Sequence, residues 1–281
     1  MIEIINSGVY SSIQDKGRFG FRHLGVPVSG FMDTFSAELA NRLVGKEPGA
    51  ALIEAAFAGL HLKFHQDYQI ALCGAKVEAF LAGSKLLANQ MITVRKGNEL
   101  LISKVEEGVW TYLGIQARII TEVVLGSQSQ YSNITKTARL TLGQLIKTEH
   151  LPLPSSSNSR LRLSSGFEKL TTIEIYPGPE FKLLPKRMQT SPWEFLFSID
   201  PQSNRMAYIL EHPLWSHDHT IVTAPIIPGM IQWTPEGRFI CLMRDGQSTG
   251  GYPRVLYIPK EELNKLCQIQ PGKHFRSALN L

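Results

Sequence analysis

The stretch from Ser12 to Asp33 carries the densest group of side chains that could bind or act on a substrate. It reads SIQDKGRFGFRHLGVPVSGFMD, and its polar residues are Gln14, Asp15, Lys16, Arg18, Arg22, His23, Ser29 and Asp33. Four glycines and Pro27 divide the stretch, and glycine permits positive φ while proline fixes φ. These features are typical of a structured loop that aims polar side chains. An ordinary glycine-rich loop before a capped helix is the alternative, because glycine clusters mark turns as often as sites.

Two later segments also carry residues suited to binding an anion or an amide. Residues 198–208 read SIDPQSNRMAY, and residues 244–254 read RDGQSTGGYPR. In the later segment, hydroxyl and amide side chains surround three glycines, so backbone N–H groups and hydroxyls could hold an anion there. A polar β-turn is the alternative interpretation. We expect the three segments to converge on one cleft, since ligand pockets form between packed units and at barrel mouths.

Sequence signatures of several other chemistries are missing. The chain contains no GxxxxGK[ST] motif of a P-loop and no HExxH motif of a zinc hydrolase. It contains no AMKM-like lysine site, so we expect biotin not to be attached to this chain. His217, Asp218 and His219, with His212 nearby, raise a metal site as an alternative. A solvated histidine-rich loop is favoured, because a catalytic zinc needs a third well-placed ligand, and we predict no metal.

A helix and many short strands must position these segments. Asp33 is a suitable N-cap and Gly45 a suitable terminator for a helix over residues 34–44. Its predicted buried face is Phe35, Leu39 and Leu43. Elsewhere, alternating apolar and polar residues, with turn signals about 8–12 residues apart, predict the strands of a barrel or sandwich.

The predicted strands are residues 1–5, 60–64, 68–72, 77–81, 89–95, 99–103, 108–115, 161–163, 172–176, 220–223, 230–233, 239–243 and 255–258. The capping-box pattern at residues 191–194 predicts a helical turn after it. Pro259 is expected to open a second short helix. Residues 151–159, LPLPSSSNS, are typical of an exposed excursion or linker. We therefore expect two β lobes, residues 1–170 and residues 171–281.

The overall composition is that of a globular protein. Of the 281 residues, 43% are apolar and 19% are charged, and the net charge of +5 is spread without a basic block. Nucleic-acid binding is therefore not favoured. No basic segment with an apolar core opens the chain, and no apolar run is long enough to span a membrane. Three separated cysteines without a CxxC pair fit buried thiols in a reducing, cytoplasmic compartment.

Six stretches resemble one known family. They are SIQDKGRFGFRHLGVPVSGFMD, ANRLVG with Glu54, YPGPE, PQSNRMAY, PGMIQWTPEGR and DGQSTGGYP, in family order across nearly the whole chain. On these stretches the chain resembles the biotin-dependent carboxyltransferase subunits. That family includes KipA, the C subunit of bacterial 5-oxoprolinase and the allophanate hydrolase subunit 2 domain. Residues 112–118 and 127–130 depart from the family pattern, and they bear on substrate preference if they line the site.

The resemblance implies a fold, partners and a reaction. The fold would be mainly β, with two cyclophilin-like β-barrel lobes, a few short helices and a site between the lobes. The two partner subunits would be a KipI-like protein and a LamB/YcsF-like protein, and the complex would use ATP to open 5-oxo-L-proline to L-glutamate. This chain would be inactive alone. Two alternatives stay open: the carboxyltransferase component of a biotin-dependent urea or amide carboxylase, and a KipA-like regulator that antagonises a KipI-like kinase inhibitor.

Opening an amide with ATP needs cations for the phosphate charge and donors for a developing oxyanion. We predict Arg18 and Arg205 as the cations, since a guanidinium binds phosphate in a bidentate manner. The residues predicted as base or orienting groups are Asp15, His23 and Glu54. The residues predicted to bind substrate are Gln14, Ser29, Gln202, Ser203, Gln247, Thr249, Gly250, Gly251 and Tyr252.

Overall fold

The computed structural model describes residues 1–151, 172–189, 194–211 and 216–281. The predicted mainly β fold is confirmed, because strands far outnumber helices within these ranges. The chain divides into two compact units. The first unit comprises Met1–Arg18 and Ser29–Gly166, and the second comprises Phe19–Val28 and Phe167–Leu281. Residues 19–28 therefore group with the C-terminal part of the chain.

The first unit is built on a ten-stranded sheet. Its strands are β1 (Ile2–Ser7), β2 (Tyr10–Gln14), β3 (Leu52–Ala56), β4 (Leu60–Phe64), β5 (Tyr68–Leu81), β6 (Ser84–Lys85), β7 (Met91–Val94), β8 (Glu99–Ile115), β9 (Ala117–Ile120) and β10 (Leu145–His150). The strand order is β2-β3-β8-β4-β1-β10-β9, and β5 pairs with β6, β7 and β8. The pairs are antiparallel, so turns and loops can connect them without crossover helices.

Strand β4 shows why an alternating pattern predicts a half-buried strand. Leu60, Leu62 and Phe64 are buried, while His61 and Lys63 are partly exposed, because successive side chains point to opposite faces of a sheet. The buried side chains join an apolar core to which β1, β5 and β8 also contribute. This core fixes which face of each strand turns inward.

Two predicted pairs of strands are single long strands in the structure. Segments 68–72 and 77–81 form β5, and segments 99–103 and 108–115 form β8. Gly74 and Gly108 interrupt the sequence pattern, and they adopt positive φ angles of 102° and 88°. The register between β5 and β8 shifts between Gly74 and Lys76, whose partners are Thr111 and Glu107. The glycines therefore mark a β-bulge inside continuous strands rather than turns.

Helix α1 (Thr34–Leu43) begins where the sequence predicts. The Asp33 carboxylate accepts a hydrogen bond from the Ser36 N–H at 3.1 Å, as expected of an N-cap. Leu39 and Leu43 are buried, but Phe35 is 58% exposed. The predicted buried face is therefore wrong at Phe35.

Small residues explain how α1 lies on its sheet. Ala37 and Ala40 are fully buried, and Gly114 of β8 lies against Ala40. A Cβ on Gly114 would stand 2.4 Å from the Ala40 carbonyl oxygen, so only glycine permits this approach. The helix thus turns its alanines inward and leaves Phe35 on the outside.

The second unit is built on a closed barrel. Its strands are β11 (Thr172–Pro177), β12 (Glu194–Ile199), β13 (Ala207–Glu211), β14 (Ala224–Pro225), β15 (Met230–Trp233), β16 (Phe239–Leu242), β17 (Thr249–Gly250), β18 (Arg254–Tyr257) and β19 (His274–Leu279). The barrel order is β11-β18-β15-β16-β13-β12-β19, and β14 pairs with β17 as a separate ribbon. Phe197 lies 5.9 Å from Phe239 and 5.6 Å from Phe275 between ring centroids, so aromatic pairs fill part of the core.

Short helices complete the second unit. Helix α2 (Lys260–Leu266) follows Pro259, which confirms the helix predicted there. Three-residue 3₁₀ helices span Arg22–Leu24, Phe181–Leu183 and Lys186–Met188.

Two local predictions in the second unit are wrong. Residues 220–223 are not a strand, and pairing begins only at Ala224, which faces Gly250. No helical turn follows residues 191–194, because β12 begins at Glu194 and pairs with β19. Barrel pairing thus overrides the local capping signal. Residues 191–193, the predicted strand 161–163 and the predicted linker from residue 152 onward lie outside the described residues.

Within the ranges that the structure describes, no helix is long and apolar enough to cross a membrane. Cys73, Cys241 and Cys267 are buried thiols, as predicted. Burial raises the pKa of the Cys73 thiol to about 12, so this thiol stays protonated and unreactive near neutral pH.

Candidate functional site

Asp15 lies at the centre of a buried cluster in the first unit. Its carboxylate accepts hydrogen bonds from the Gly17 N–H at 2.8 Å and the Gln128 N–H at 2.7 Å. The hydroxyls of Ser127 and Ser129 also donate to it, each at 2.6 Å. A carboxylate offers about four acceptor positions, and four groups of the same unit donate to this one. The contacts make Asp15 an anchor for the loop at 127–129.

Arg18 anchors nearby loop segments of the first unit. Its guanidinium donates to the Ser29 hydroxyl at 3.0 Å, to the Val124 carbonyl at 3.5 Å and to the Ser129 carbonyl. The residue is 1% exposed. A buried guanidinium is tolerated only where its N–H groups find acceptors, and these three contacts occupy all three of its nitrogens. Ser29 has a φ of 56°, which is uncommon for a residue other than glycine.

Gln14 and Glu54 hold the chain that leads into α1. The Gln14 side-chain oxygen accepts the Gly30 N–H at 3.2 Å, and the Glu54 carboxylate accepts the Met32 N–H at 2.8 Å. The Tyr112 hydroxyl accepts the N–H of the α1 N-cap residue at 2.7 Å. Side chains of β2, β3 and β8 thus satisfy the backbone just before the helix, where no regular ladder is available.

The first unit therefore brings together five of the predicted site residues. They are Gln14, Asp15, Arg18, Ser29 and Glu54, and all five are buried. Their polar atoms bind the loops at 15–18, 29–33 and 127–130 in this conformation. Their catalytic and substrate-binding roles stay predictions.

Sequence reasoning missed the partners that the loop at 127–130 supplies. Besides Ser127 and Ser129, Gln130 accepts the Ile13 N–H through its side chain at 2.8 Å. Its carbonyl also accepts the Gln14 amide at 3.1 Å. One signal did point to this loop, since it is a stretch where the chain departs from the family pattern. Spacing alone could not pair it with Asp15, because Ser127 lies 112 residues further along the chain.

In the second unit, the predicted cation Arg205 belongs to a buried ion pair. Its Nε lies 2.7 Å from Asp245 Oδ2, and its Nη2 lies 3.2 Å from Oδ1, a bidentate geometry. The Asp245 N–H also donates to the Arg205 carbonyl at 2.8 Å. Both side chains are buried, so the charge of Arg205 is compensated within its own unit.

The other predicted residues of the 198–208 segment form a polar turn. The Asp200 carboxylate accepts the Gln202 N–H at 2.7 Å, and the Ser203 hydroxyl accepts the Ile209 N–H at 3.0 Å. The Gln202 side chain is exposed and Ser203 is partly buried. These bonds stabilise the turn, and the substrate-binding role of both residues stays a prediction.

The 244–254 segment forms a surface turn that includes the ribbon strand β17. Its predicted substrate-binding residues are Gln247, Thr249, Gly250, Gly251 and Tyr252, and all but Gly250 are exposed. A Cβ on Gly250 would lie 2.5 Å from Gln232 Nε2 and 3.3 Å from Gln247 Nε2. Two side-chain amides therefore flank Gly250, and a larger residue there would displace them.

Arg22 contacts this turn, although it is not among the site residues predicted from the sequence. It lies on the 3₁₀ helix at 22–24, and its Nη2 donates to the carbonyls of Ile226 and Gln247, the latter at 2.9 Å. His23, a predicted base, is exposed on the same helix. Ile226 lies 204 residues after Arg22, so no local pattern signals this contact. The expected convergence of the three segments, residues 12–33, 198–208 and 244–254, on one cleft stays a prediction.

Residues 246–250 read GQSTG, which fits the GxSxG spacing of a nucleophile elbow. That motif requires a strand, a sharp turn carrying the serine and then a helix. Here Ser248 follows β16 and precedes the two-residue strand β17. The structural context therefore does not support Ser248 as a nucleophile.

His217 and His219 form an aromatic cluster on Trp233. The ring centroid of His217 lies 3.8 Å from that of Trp233 and 5.4 Å from that of His219. His217 Nδ1 accepts the His219 N–H at 3.0 Å, and Nε2 lies 3.3 Å from the Trp233 carbonyl. Backbone groups thus engage both ring nitrogens. The described ranges hold no cluster of three potential metal ligands, and His212 lies outside them.

One family matches most of the chain. It is described as the carboxyltransferase domain, subdomain A and B, and the match covers residues 24–278. The chain is similar to the C subunit of 5-oxoprolinase from Escherichia coli (strain K12), with 31% identity over 98% of this chain and 90% of that protein. The Haemophilus influenzae protein of the same name is 28% identical over 97% of this chain and 89% of its own length.

Larger proteins contain a similar region. The urea amidolyase of Saccharomyces cerevisiae is 29% identical over 96% of this chain, which corresponds to 16% of that protein. Among solved structures, TTHA0988 superposes with a TM-score of 0.88 at 26% identity, covering 100% of this chain and 55% of its own. The Kluyveromyces lactis urea amidolyase also gives 0.88 at 26% identity, over 98% of this chain and 18% of its own. The chain thus spans about half or less of these solved proteins.

Proposed function

This chain belongs to the carboxyltransferase domain A and B family, and from that premise we propose that it is the C subunit of an ATP-dependent 5-oxoprolinase. The observation that carries the proposal is the extent of one match. The match to the C subunit of Escherichia coli 5-oxoprolinase extends over 90% of that protein, so the two chains correspond nearly from end to end. The yeast urea amidolyase aligns over only 16% of its length.

The proposed reaction opens the lactam of 5-oxo-L-proline to L-glutamate with hydrolysis of ATP. Phosphorylation of the amide oxygen makes the carbonyl carbon a better electrophile. The phosphoryl transfer releases ADP. Water then adds to that carbon, the ring C–N bond breaks and the nitrogen takes a proton, which leaves an acyl phosphate. A second water hydrolyses the acyl phosphate and releases phosphate and glutamate. Preorganised donors stabilise the oxyanion of such a step. In this chain the side-chain amides of Gln232 and Gln247, beside Gly250, are donors suited to that task.

We propose that ATP binds in the complex without phosphate contacts from Arg18 or Arg205. To bind a nucleotide through Nε and Nη2, Arg205 would have to leave Asp245, and breaking a buried pair costs about 3–5 kcal/mol. Arg18 would likewise have to release the carbonyls that it binds. The KipI-like and LamB/YcsF-like partners would supply the phosphate contacts, and no biotin would be attached to this chain.

The carboxyltransferase component of a biotin-dependent urea carboxylase is the second candidate. It is favoured by the similarity to urea amidolyases of two yeasts across nearly the whole chain. The same donors would then face urea, while carboxybiotin on a separate domain would supply the carboxyl group. The two candidates differ in the substrate and in the partner that each requires.

Reconstitution with the partner proteins separates the two candidates. The chain is co-purified with its untagged KipI-like and LamB/YcsF-like partners, and glutamate formation from 5-oxo-L-proline is measured with and without ATP. We expect ATP-dependent glutamate formation by the complex and none by this chain alone. Turnover by the isolated chain would contradict the need for partners. Urea-dependent ATP hydrolysis with a biotinylated carboxylase, without glutamate formation, would favour the second candidate.

A pair of glutamine variants tests the contribution of this chain to that activity. Gln247→Ala removes a proposed oxyanion donor, and we expect kcat of the complex to fall about 100-fold. Gln270→Ala, a partly exposed glutamine of the same unit, should leave kcat unchanged. Equal kcat values for the two variants would show that Gln247 does not contribute to the reaction.

A further inference from the structure

Among the described residues of its unit, Arg22 has no carboxylate partner. Its Nη2 donates to the carbonyls of Ile226 and Gln247. Its Nη1 is shielded from solvent and has no acceptor among the described residues. Within those residues, no ion pair joins Arg22 to a carboxylate, whereas other arginines of this unit have one. Partial burial also lowers the pKa of Arg22 from its usual value.

Two acidic residues of this unit, Asp245 and Glu180, already form ion pairs with other arginines. Asp245 pairs with Arg205 at 2.7 Å. Glu180 accepts two hydrogen bonds from the Arg254 guanidinium, at 2.9 Å and 2.6 Å. A half-buried guanidinium without a counter-ion is costly. An anion bound at Arg22 would therefore offset the cost of burying its guanidinium and stabilise this turn.

Two side-chain amide donors lie at the turn whose Gln247 carbonyl Arg22 contacts. The amide nitrogens of Gln232 and Gln247 flank Gly250, and the contact of Gln232 Nε2 with the Tyr252 carbonyl is long, at 3.4 Å. Gln247 is exposed, so a small molecule can reach the turn from solvent. A cation beside two amides suits a ligand that carries a carboxylate and a second acceptor.

We propose that Arg22 binds the carboxylate of a small cyclic amide, while the Gln232 and Gln247 amides face its lactam oxygen. This inference rests on the proposed function and deepens it by naming the residues that would bind the carboxylate and the lactam oxygen of the substrate. 5-Oxo-L-proline carries both groups on one ring. Urea has no carboxylate, so Arg22 would favour the lactam acid over urea.

A purely structural role for Arg22 predicts different kinetics. As a tether, it would only fasten residues 19–28 to the carbonyls at 226 and 247. Variants would then lower stability and reduce turnover of every substrate alike. If Arg22 is a carboxylate ligand, replacing it raises KM much more for substrates that carry a carboxylate than for those that lack one.

The test uses the reconstituted complex with Arg22→Gln, Arg22→Lys and the control Arg238→Gln, an exposed arginine of the same unit. The substrates are 5-oxo-L-proline and 2-pyrrolidinone, the same ring without the carboxylate. Arg22→Gln should raise KM for 5-oxo-L-proline about 10- to 100-fold, the loss of one or two charged hydrogen bonds. It should lower kcat/KM for 2-pyrrolidinone far less, since that ring has no carboxylate and only the bonds to the Ile226 and Gln247 carbonyls are lost. Arg22→Lys should retain part of the affinity, and Arg238→Gln all of it.

Equal losses for both compounds, or an unchanged KM in Arg22→Gln, would overturn the proposal. Calorimetric binding of 5-oxo-L-proline to the isolated wild-type and variant chains gives a readout that needs no turnover. If the wild-type complex forms no glutamate, the proposed function fails. Carboxylate-dependent binding that is lost in Arg22→Gln would still support this site, and its absence in the wild type would overturn it. If Arg22→Gln does not fold, Arg22→Lys decides by the same measurements.

Discussion

Replacing Asp15 with asparagine tests whether its carboxylate holds loops or acts on substrate. The carboxylate accepts two backbone N–H groups and the hydroxyls of Ser127 and Ser129. Asparagine keeps the shape and one oxygen, but it turns the other acceptor into an NH2 group. With its oxygen facing the serines, its nitrogen meets the Gln128 N–H, so that a donor faces a donor.

The expected loss of stability is about 3 kcal/mol. A hydrogen bond to a charged group contributes about 1.5–3 kcal/mol, and an unsatisfied buried donor costs about 1–3 kcal/mol. Rotation of the two serine hydroxyls limits the loss, so these contributions do not add in full. For a unit of this size, about 3 kcal/mol lowers the midpoint of thermal unfolding by roughly 6–12 °C.

Thermal and urea unfolding of the isolated chain measure this loss, with separate fits for each transition because the chain has two units. Asp67→Asn is the matched control. The Asp67 carboxylate accepts bonds from the Arg95 guanidinium and the Lys96 N–H, both at 2.8 Å, but it is exposed. Its replacement should shift the midpoint little. An Asp15→Asn chain as stable as the wild type, yet inactive in the complex, would refute the anchoring role and assign Asp15 to the chemistry.

Three other predictions concern how buried or partly buried ionisable groups affect the stability of the fold. Asp245→Asn should cost the second unit about 3–5 kcal/mol in urea unfolding, because it leaves the Arg205 guanidinium buried without its counter-ion; a loss under about 1 kcal/mol would contradict the pair's importance. Burial is the main cause that lowers the pKa of His217, so the folded state favours the neutral ring, and stability falls as the pH drops below 6.5. The unfolding midpoint of the wild type should therefore decline more from about pH 7 to 5 than that of His217→Phe, and parallel curves would show that His217 does not contribute. Burial lowers the pKa of Lys46 to about 8 from 10.5, so stability should rise with pH between those values. Lys46→Met should remove that rise, and an equal rise in both proteins would exclude Lys46 as its source.

Local patterns predict the strands whose two faces differ in environment. Strand β4 follows directly from its alternating residues, because one face packs on the core. The patterns fail where the backbone conformation is decided by residues far along the chain. Gly74 reads as a turn but forms a bulge inside β5, and Glu194 reads as part of a helix start but pairs with Ala278 in the barrel. In both cases a partner strand far along the chain decides the backbone conformation.

The residue types of the candidate site were readable from the sequence, but their partners were not. The choice between a side chain aimed at a substrate and one that anchors a loop depends on contacts over a hundred residues away. Asp15 meets Ser127 and Ser129 across such a distance, and Arg22 meets Ile226 across nearly twice that distance. Burial and hydrogen-bond partners, rather than residue type, therefore distinguish Arg205, which pairs with Asp245, from Arg22, which pairs with no carboxylate in the part of the chain that the structure describes.

The density of polar residues between Ser12 and Asp33 has a structural cause beside any catalytic one. Up to Arg18 this stretch belongs to the first unit, and from Phe19 it groups with the second. Within a few residues it ends β2, places Asp15 and Arg18 among loops of one unit, and places Arg22 against the carbonyls of the other. Gly17 and Gly20, with φ of 96° and 92°, allow these changes of direction, which larger residues would strain. Each of the two units requires its own buried donors and acceptors, so one stretch serving both must be rich in polar side chains even before it contacts a substrate.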